Sequence, residues 1–178
     1  GGFYADFRGE SHMNQDYVTE YKAQTVDGVQ TVTFKINPKA AFNDGTPIDV
    51  NAVKSYQTIY TAAASGSDYQ ITPSPIWEQV ASVEAVDGDT RHVKVTMSKP
   101  WYPIEGSFTS FLHPAFVEPK FFNDGLNDKP LDQYWAGPFK VGEWNSSSKV
   151  LTVVRNEKWW GTKPALERIT WREMSSQA

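Results

Sequence analysis

A chain of 178 residues is long enough for one sizeable domain and should bury roughly 70% of its unfolded surface without help from metals or disulfides. Its 17 basic and 21 acidic side chains leave a formal charge of −4, with no Lys/Arg run and no basic track beside the adjacent Trp159 and Trp160, which excludes a nucleic-acid partner. The absence of cysteine excludes thiolate metal sites, disulfides and Cys nucleophiles, and no apolar run approaches the 18 residues a membrane span needs.

The opening Gly1-Gly2-Phe3-Tyr4 lacks the basic region and long apolar stretch of a signal peptide, so the targeting segment of an exported parent is expected upstream. Residues 16–25 and 29–36 flank Val26-Asp27-Gly28, and Val32, Phe34 and Ile36 alternate with polar neighbours, which predicts a half-buried antiparallel hairpin. After the turn residues Asn43-Asp44-Gly45 and Pro47, Asp49 is placed to cap a helix of about 14 residues. Val53, Tyr56, Ile59, Tyr60 and Ala63 recur on one face of it, with Val53, Tyr56 and Tyr60 expected on the sheet.

Ser65-Gly66-Ser67-Asp68 ends the helix, and Pro73 and Pro75 introduce a short helical turn around Trp77. A strand over 81–86, a turn at Asp87-Gly88-Asp89 and an alternating strand over 91–98 predict a second hairpin. Residues 101–122 read as a short helix, a tight loop at His113-Pro114 and an edge segment, and the polar stretch 123–133 is expected to cross the surface. Residues 137–144 and 149–156, joined through Asn145-Ser146-Ser147-Ser148, predict a third hairpin, and 167–173 place Ile169 and Trp171 on one face of a further strand. Hairpins interleaved with a few helices imply an α+β fold, with a mixed, mostly antiparallel, hairpin-rich sheet and a few packed helices.

Candidate chemistry is sparse. His12, His92 and His113 have no metal-ligand spacing, His92 falls on a solvated strand face, and His113 lies in an apolar loop where packing competes with solute contact. The Glu10, Asp16 and Glu20 group reads as a solvated strand face, no nucleophile elbow or phosphate loop is present, and nothing singles out a carboxylate pair for glycoside hydrolysis. The expectation is no enzyme, no metal and no cofactor. Seven Trp leave a surface-binding or carbohydrate-binding β-rich module as the alternative, which a planar row of exposed aromatics would favour.

Three ordered segments carry a resemblance: VTFKINPKAAFNDGTPIDVNAVKSY (32–56), VEAVDGDTRHVKVTMSKPWYP (83–103) and WAGPFKVGEWNSSSKVLTVVRNEKWWGTKPALERITWR (135–172). Together they resemble the family 5 extracellular solute-binding proteins, the oligopeptide-, dipeptide- and nickel-binding components of ABC importers. Most of these motif residues serve the scaffold: Asp44-Gly45-Thr46-Pro47 turns the chain, Gly137-Pro138 leads it into a strand, and Trp159-Trp160-Gly161 wedges indoles against the sheet.

The resemblance implies that residues 1–178 are one partial domain of lobe I of a two-lobed periplasmic-binding-protein-like fold. Residues 16–173 would be the inserted subdomain with its flanking strands, the second lobe would be absent, and the start through Tyr17 departs from the family pattern. It implies an extracytoplasmic monomer, periplasmic or lipid-anchored outside the cell membrane, that captures peptides or other small solutes and delivers them to ABC permease subunits. The solute contacts it implies are the loop carrying Tyr69 and Trp77 and the loop carrying Trp101, Phe111 and His113. Tyr and Trp suit a site for varied peptides because they offer apolar area, one polar handle and few rotors.

Overall fold

Two Asp-Gly pairs set the architecture of the main sheet. The structure, a computed structural model, describes residues 1–127 and 130–174. Strands β3 (Val18–Val26) and β4 (Val29–Ile36) are joined by Asp27-Gly28, and β5 (Val80–Val86) and β6 (Asp89–Met97) by Asp87-Gly88. All four turn residues have positive φ, from 50° to 80°, the two-residue geometry whose twist matches that of the strands it joins. The strands form one antiparallel sheet in the order β3-β4-β6-β5.

Register then sorts the side chains. Val32 faces Val95, which faces Val83, and Phe34 faces Val93, so the alternating residues of β4 and β6 build one apolar face. Val32, Phe34, Val93 and Val95 are all fully buried or nearly so, each worth about 1.5–3 kcal/mol of burial. The opposite face carries Thr31, Thr33, Lys35, His92 and Lys94, with His92 on the polar side as expected. The exposed Lys35–Glu20 ion pair on that face, at 3.0 Å, adds at most about 1 kcal/mol, so the apolar rows set the register.

Helix α1 (Val50–Ala64) covers the apolar face, and Asp49 is its N-cap, accepting from the backbone N–H of Asn51 at 2.8 Å. The buried stripe is Val50, Ala52, Val53, Ser55 and Ile59. Tyr56 and Tyr60, expected on the sheet, instead stack on Trp77 of the short helix α2 (Pro75–Glu78) at 5.8 and 6.0 Å.

Residues 101–122 reverse the expected order. Residues 101–113 contain no helix, while His113-Pro114 opens a 3₁₀ turn (Pro114–Val117) and Glu118-Pro119 opens α3 (Pro119–Asp124). Each proline sits at the first helical position, where its missing N–H costs nothing, and His113 and Glu118 accept the free backbone N–H groups behind it. The stretch expected to cross the surface therefore begins inside α3 and ends in a 3₁₀ turn (Asp132–Tyr134), residues 128–129 lying outside the described residues.

The start of the chain forms a hairpin that the sequence did not announce, β1 (Phe3–Ala5) with β2 (Ser11–Met13). Glu10, Asp16 and Glu20 do not share a strand face. Glu20 pairs with Lys35, Asp16 packs under Gly161, and Glu10 lies in the loop between β1 and β2. The third hairpin, β7 (Phe139–Asn145) with β8 (Val150–Arg155), is extended by β9 (Arg168–Arg172) into a separate antiparallel sheet. On one face of it Trp144, Leu151 and Trp171 lie in register, with both indoles half exposed.

The Asp49 cap is testable: Asp49→Ala is expected to lower stability by about 1 kcal/mol in urea unfolding, with an unchanged denaturant slope.

Candidate functional site: an aromatic depression at the joint between two sheets

The two larger sheets meet through the loop Phe42-Asn43-Asp44-Gly45-Thr46 and the segment Asn156–Gly161. The backbone N–H groups of Asn43 and Asp44 donate to the carbonyls of Trp135 and Gln133 at 2.8 and 2.9 Å, so the loop lies along the chain entering β7. Asn156, 6% exposed, donates through Nδ2 to Asn43 Oδ1 and to the Gly137 carbonyl, both at 2.8 Å. Its Oδ1 accepts from the N–H of Lys158, while Lys158 Nζ donates to the Asn43 carbonyl. Asn43 Nδ2 donates to the Asp132 carbonyl at 2.9 Å, and Asp132 Oδ1 accepts from the N–H of Val141.

Behind the loop, His113 is 7% exposed and both ring nitrogens are used. Nδ1 accepts from the N–H of Ala115, so Nε2 carries the proton it shares with Asp44 Oδ2 at 3.0 Å. The ring packs between Phe42 and Tyr134 at 4.8 and 4.6 Å. Burial opposes ionisation of Asp44, but the N–H and hydroxyl of Thr46 and the His113 ring outweigh it and hold its pKa below the ordinary carboxylate value.

On the other side, Trp159 and Trp160 lie 5.6 and 5.4 Å from the ring of Tyr17, just before β3, and Trp160 Nε1 donates to the Asp16 carbonyl at 2.6 Å. Trp160 packs against the buried core of the main sheet, as the sequence suggested, while Trp159 lies over Tyr17 and Trp160. Gly161 fits there closely, since a Cβ would lie 2.5 Å from a carboxylate oxygen of Asp16 and 2.7 Å from the Trp159 ring, and one of these side chains would have to move. Burial, aided by the neighbouring Asp16 charge, pushes the Tyr17 phenol up to about 12, so its hydroxyl remains a donor, reaching the Ala136 carbonyl at 3.2 Å.

Between these groups lies a depression of about 240 Å³ walled by Tyr17, Phe42, Tyr56, Phe111, Trp135 and Ala136, with Ile48, Ser110 and Gly1 at its margins. Phe111 stacks on Tyr17 at 6.1 Å. A larger depression of about 430 Å³ lies beside Arg155, Trp159 and Lys163, but the Arg155 guanidinium is spent on the carbonyls of Pro164, Ala165 and Leu166. Asp6, Glu10 and His12 bring potential ligand atoms within 4.8 Å of one another on the first hairpin. There Asp6 Oδ1 already accepts from the N–H groups of Arg8 and Glu10, and Oδ2 shares a hydrogen bond with His12.

Of the five residues proposed from sequence as solute contacts, only Phe111 lines the aromatic depression. His113 stands one layer behind it through Phe42. Trp77, 8% exposed, is core, meeting Phe108 edge-on at 5.0 Å and stacking on Tyr56. Tyr69, 9% exposed, donates its hydroxyl to the Val117 carbonyl and fastens its loop to the 3₁₀ turn. Both backbone polar groups of Trp101 are held by the Gln30 amide at 2.8 and 3.1 Å. Tyr17, Tyr56 and Trp135 were missed as wall residues. Trp135 had a signal, its place just before Gly137-Pro138 in the segment carrying the resemblance, whereas Tyr17 and Tyr56 read as ordinary strand and helix positions.

Residues 16–178 match the model of the bacterial extracellular solute-binding proteins, family 5 Middle. The chain belongs to this family. It is 33% identical over 174 residues to the oligopeptide-binding protein OppA of Mycobacterium tuberculosis, covering 96% of the chain and 28% of that relative. It is 25% identical over 168 residues to the probable D,D-dipeptide-binding periplasmic protein DdpA of Escherichia coli, covering 92% of the chain and 30% of the relative. The chain thus spans less than a third of the length of these family members. In fold it is similar to the periplasmic EDTA-binding protein EppA, with a TM-score of 0.78, 24% identity, and coverage of 98% of this chain and 33% of that one. It is likewise similar to the Bacillus subtilis oligopeptide-binding protein AppA in complex with a nonapeptide, with a TM-score of 0.71, 20% identity, and coverage of 97% and 33%.

Two outcomes follow from the joint. Asn156→Ala strips hydrogen bonds from two buried partners, Asn43 and Gly137, and from the N–H of the exposed Lys158, and is expected to cost about 2–3 kcal/mol in urea unfolding. Asp44, whose pKa is depressed in the folded state, stabilises the fold above its unfolded value of about 3.9, and that contribution is lost as pH falls through the lower folded value. Asp44→Asn is therefore expected to be less stable at pH 7 and to show a flatter fall in stability below about pH 4.

Proposed function

We propose that this chain is part of the first lobe of the solute-binding component of an ABC importer, one that captures peptides outside the cytoplasm and hands them to membrane permease subunits without chemical turnover. The observation that carries the reading is where two of the family segments converge. Phe42, Ile48 and Tyr56 from residues 32–56, and Trp135 and Ala136 from residues 135–172, meet on one open aromatic depression with Phe111. The names of the relatives support the solute class, since OppA is an oligopeptide-binding and DdpA a probable D,D-dipeptide-binding protein.

In this reading residues 1–178 form one partial domain, with residues 16–173 as the subdomain inserted in the first lobe, and Phe111, Tyr17, Tyr56 and Trp135 form the solute wall. His113, Tyr69, Trp77 and Trp101 hold the loops behind it. The second wall comes from a lobe outside these residues. Closure of the two lobes is driven by tighter binding in the closed form, and the closed surface is what the permease reads.

A binding site usually buries 70–90% of its ligand, and one wall cannot do so. Losing about 150 Å² of apolar contact at roughly 25 cal/mol per Å² removes nearly 4 kcal/mol, or two to three orders of magnitude in affinity. Calorimetry against a mixed tri- to pentapeptide library, on this chain and on the longer polypeptide that carries it, tests the proposal. Micromolar binding by the longer polypeptide and at least hundredfold weaker binding by the chain alone are expected. Equal affinity of the two would remove the second wall, and peptide binding by neither would remove the peptide-binding reading.

A further inference from the structure

We propose that the depression between Tyr17, Phe111 and Trp135 receives one uncharged, mainly apolar side chain of the solute, and that the Tyr56 hydroxyl hydrogen-bonds a polar atom on that side chain. This rests on the reading of the chain as one wall of a peptide site and names what that wall selects.

Size is the first argument. At about 240 Å³ the space falls below the roughly 300–1,000 Å³ of pockets that enclose a whole small ligand, so it suits a single side chain. Charge is the second. None of the side chains lining it is ionic, and Lys158 and Asp44 nearby are already engaged by the Asn43 carbonyl and by His113 with Thr46. A solute carboxylate or ammonium would be desolvated there without a partner side chain, whereas an aromatic ring would meet three aromatic walls.

The third argument concerns hydroxyls. The Tyr17 hydroxyl is spent on the Ala136 carbonyl, but that of Tyr56 has no hydrogen-bond partner among the described residues. Tyr56 is fixed by its stack with Trp77 and Tyr60, and burial raises its pKa, so the group waits as a neutral donor on a rigid ring. That hydroxyl is open to water, since no buried side-chain polar atom among the described residues lacks a partner, and a ligand that covers it must replace the hydrogen bond to water, which ranks a phenol above a phenyl.

The test uses the chain itself, since weak binding is readable by nuclear magnetic resonance. Nitrogen–proton correlation spectra are followed during titration with Ala-Phe-Ala, Ala-Tyr-Ala, Ala-Asp-Ala and Ala-Lys-Ala. The indole signal of Trp135, assigned with Trp135→Phe, and the amide of Phe111 report on the depression. The Phe and Tyr peptides are expected to move both signals with at least tenfold lower Kd than the Asp and Lys peptides, Tyr ahead of Phe, and Tyr56→Phe is expected to erase the preference for Tyr. A difference of less than tenfold between apolar and charged peptides overturns the assigned side-chain class while leaving the wall in place. A preference for Tyr that survives Tyr56→Phe overturns the role of the hydroxyl. If no peptide moves either signal while the longer polypeptide binds peptides in the calorimeter, this depression is not the contact and the transport reading stands without it.

Discussion

The buried amide pair of Asn43 and Asn156 is the interaction on which the arrangement of this molecule depends. It is the point where a loop of the helix-covered sheet is tied to the sheet of β7, β8 and β9, and it is tied by hydrogen bonds rather than by apolar packing. An apolar contact tolerates sliding, whereas a buried amide satisfied on both sides tolerates one geometry, because any slip leaves a desolvated donor or acceptor unpaired. The Lys158 ammonium on the Asn43 carbonyl adds a charge-assisted bond to the same joint. The family segments containing Asn43-Asp44-Gly45-Thr46 and Arg155-Asn156 are therefore two halves of one fastening.

From that joint the chain builds an aromatic layer that runs from core to surface. Phe108 meets Trp77, Trp77 stacks on Tyr56 and Tyr60, and Tyr56 opens on the depression beside Phe111 and Tyr17, which in turn carries Trp159 and Trp160. Large flat side chains with two rotors lose little entropy when held this way, so a wall made of them is stiff before any solute arrives. The residues farther back use their polar atoms within the chain, His113 on the Ala115 N–H and the Asp44 carboxylate and Tyr69 on the Val117 carbonyl. They position loops. Their hydrogen-bonding capacity is not left over for a ligand.

The sheet of β7, β8 and β9 presents another kind of surface. Trp144, Leu151 and Trp171 form a row across three strands, with both indoles about half exposed, and a three-stranded sheet gains independent stability by burying such a face. The row has the look of the exposed aromatic platform that the sugar-binding alternative called for. Membership of the solute-binding family does not favour that alternative.

Local chemistry was legible without any coordinates. The Asp-Gly hairpins, the alternation that makes one face of β4 and β6 apolar and the Asp49 cap each follow from a few neighbouring residues whose backbone preferences and periodicity point one way. The ordered segments sufficed for the family as well. What the sequence could not rank was which aromatics face a cavity, because Trp77 in the core and Trp135 on the rim belong to the same residue type, and burial depends on partners distant in the chain, such as Phe108 for Trp77 and Tyr17 for Trp135. It also misjudged residues 101–122, where prolines that break an element in one context begin one in another, depending on whether a side chain such as His113 or Glu118 is there to take the free N–H groups. Short-range propensity and pattern fix the elements. Only the tertiary structure decides which of their side chains meet, since that choice is made by shape and by hydrogen bonds between residues distant in the chain.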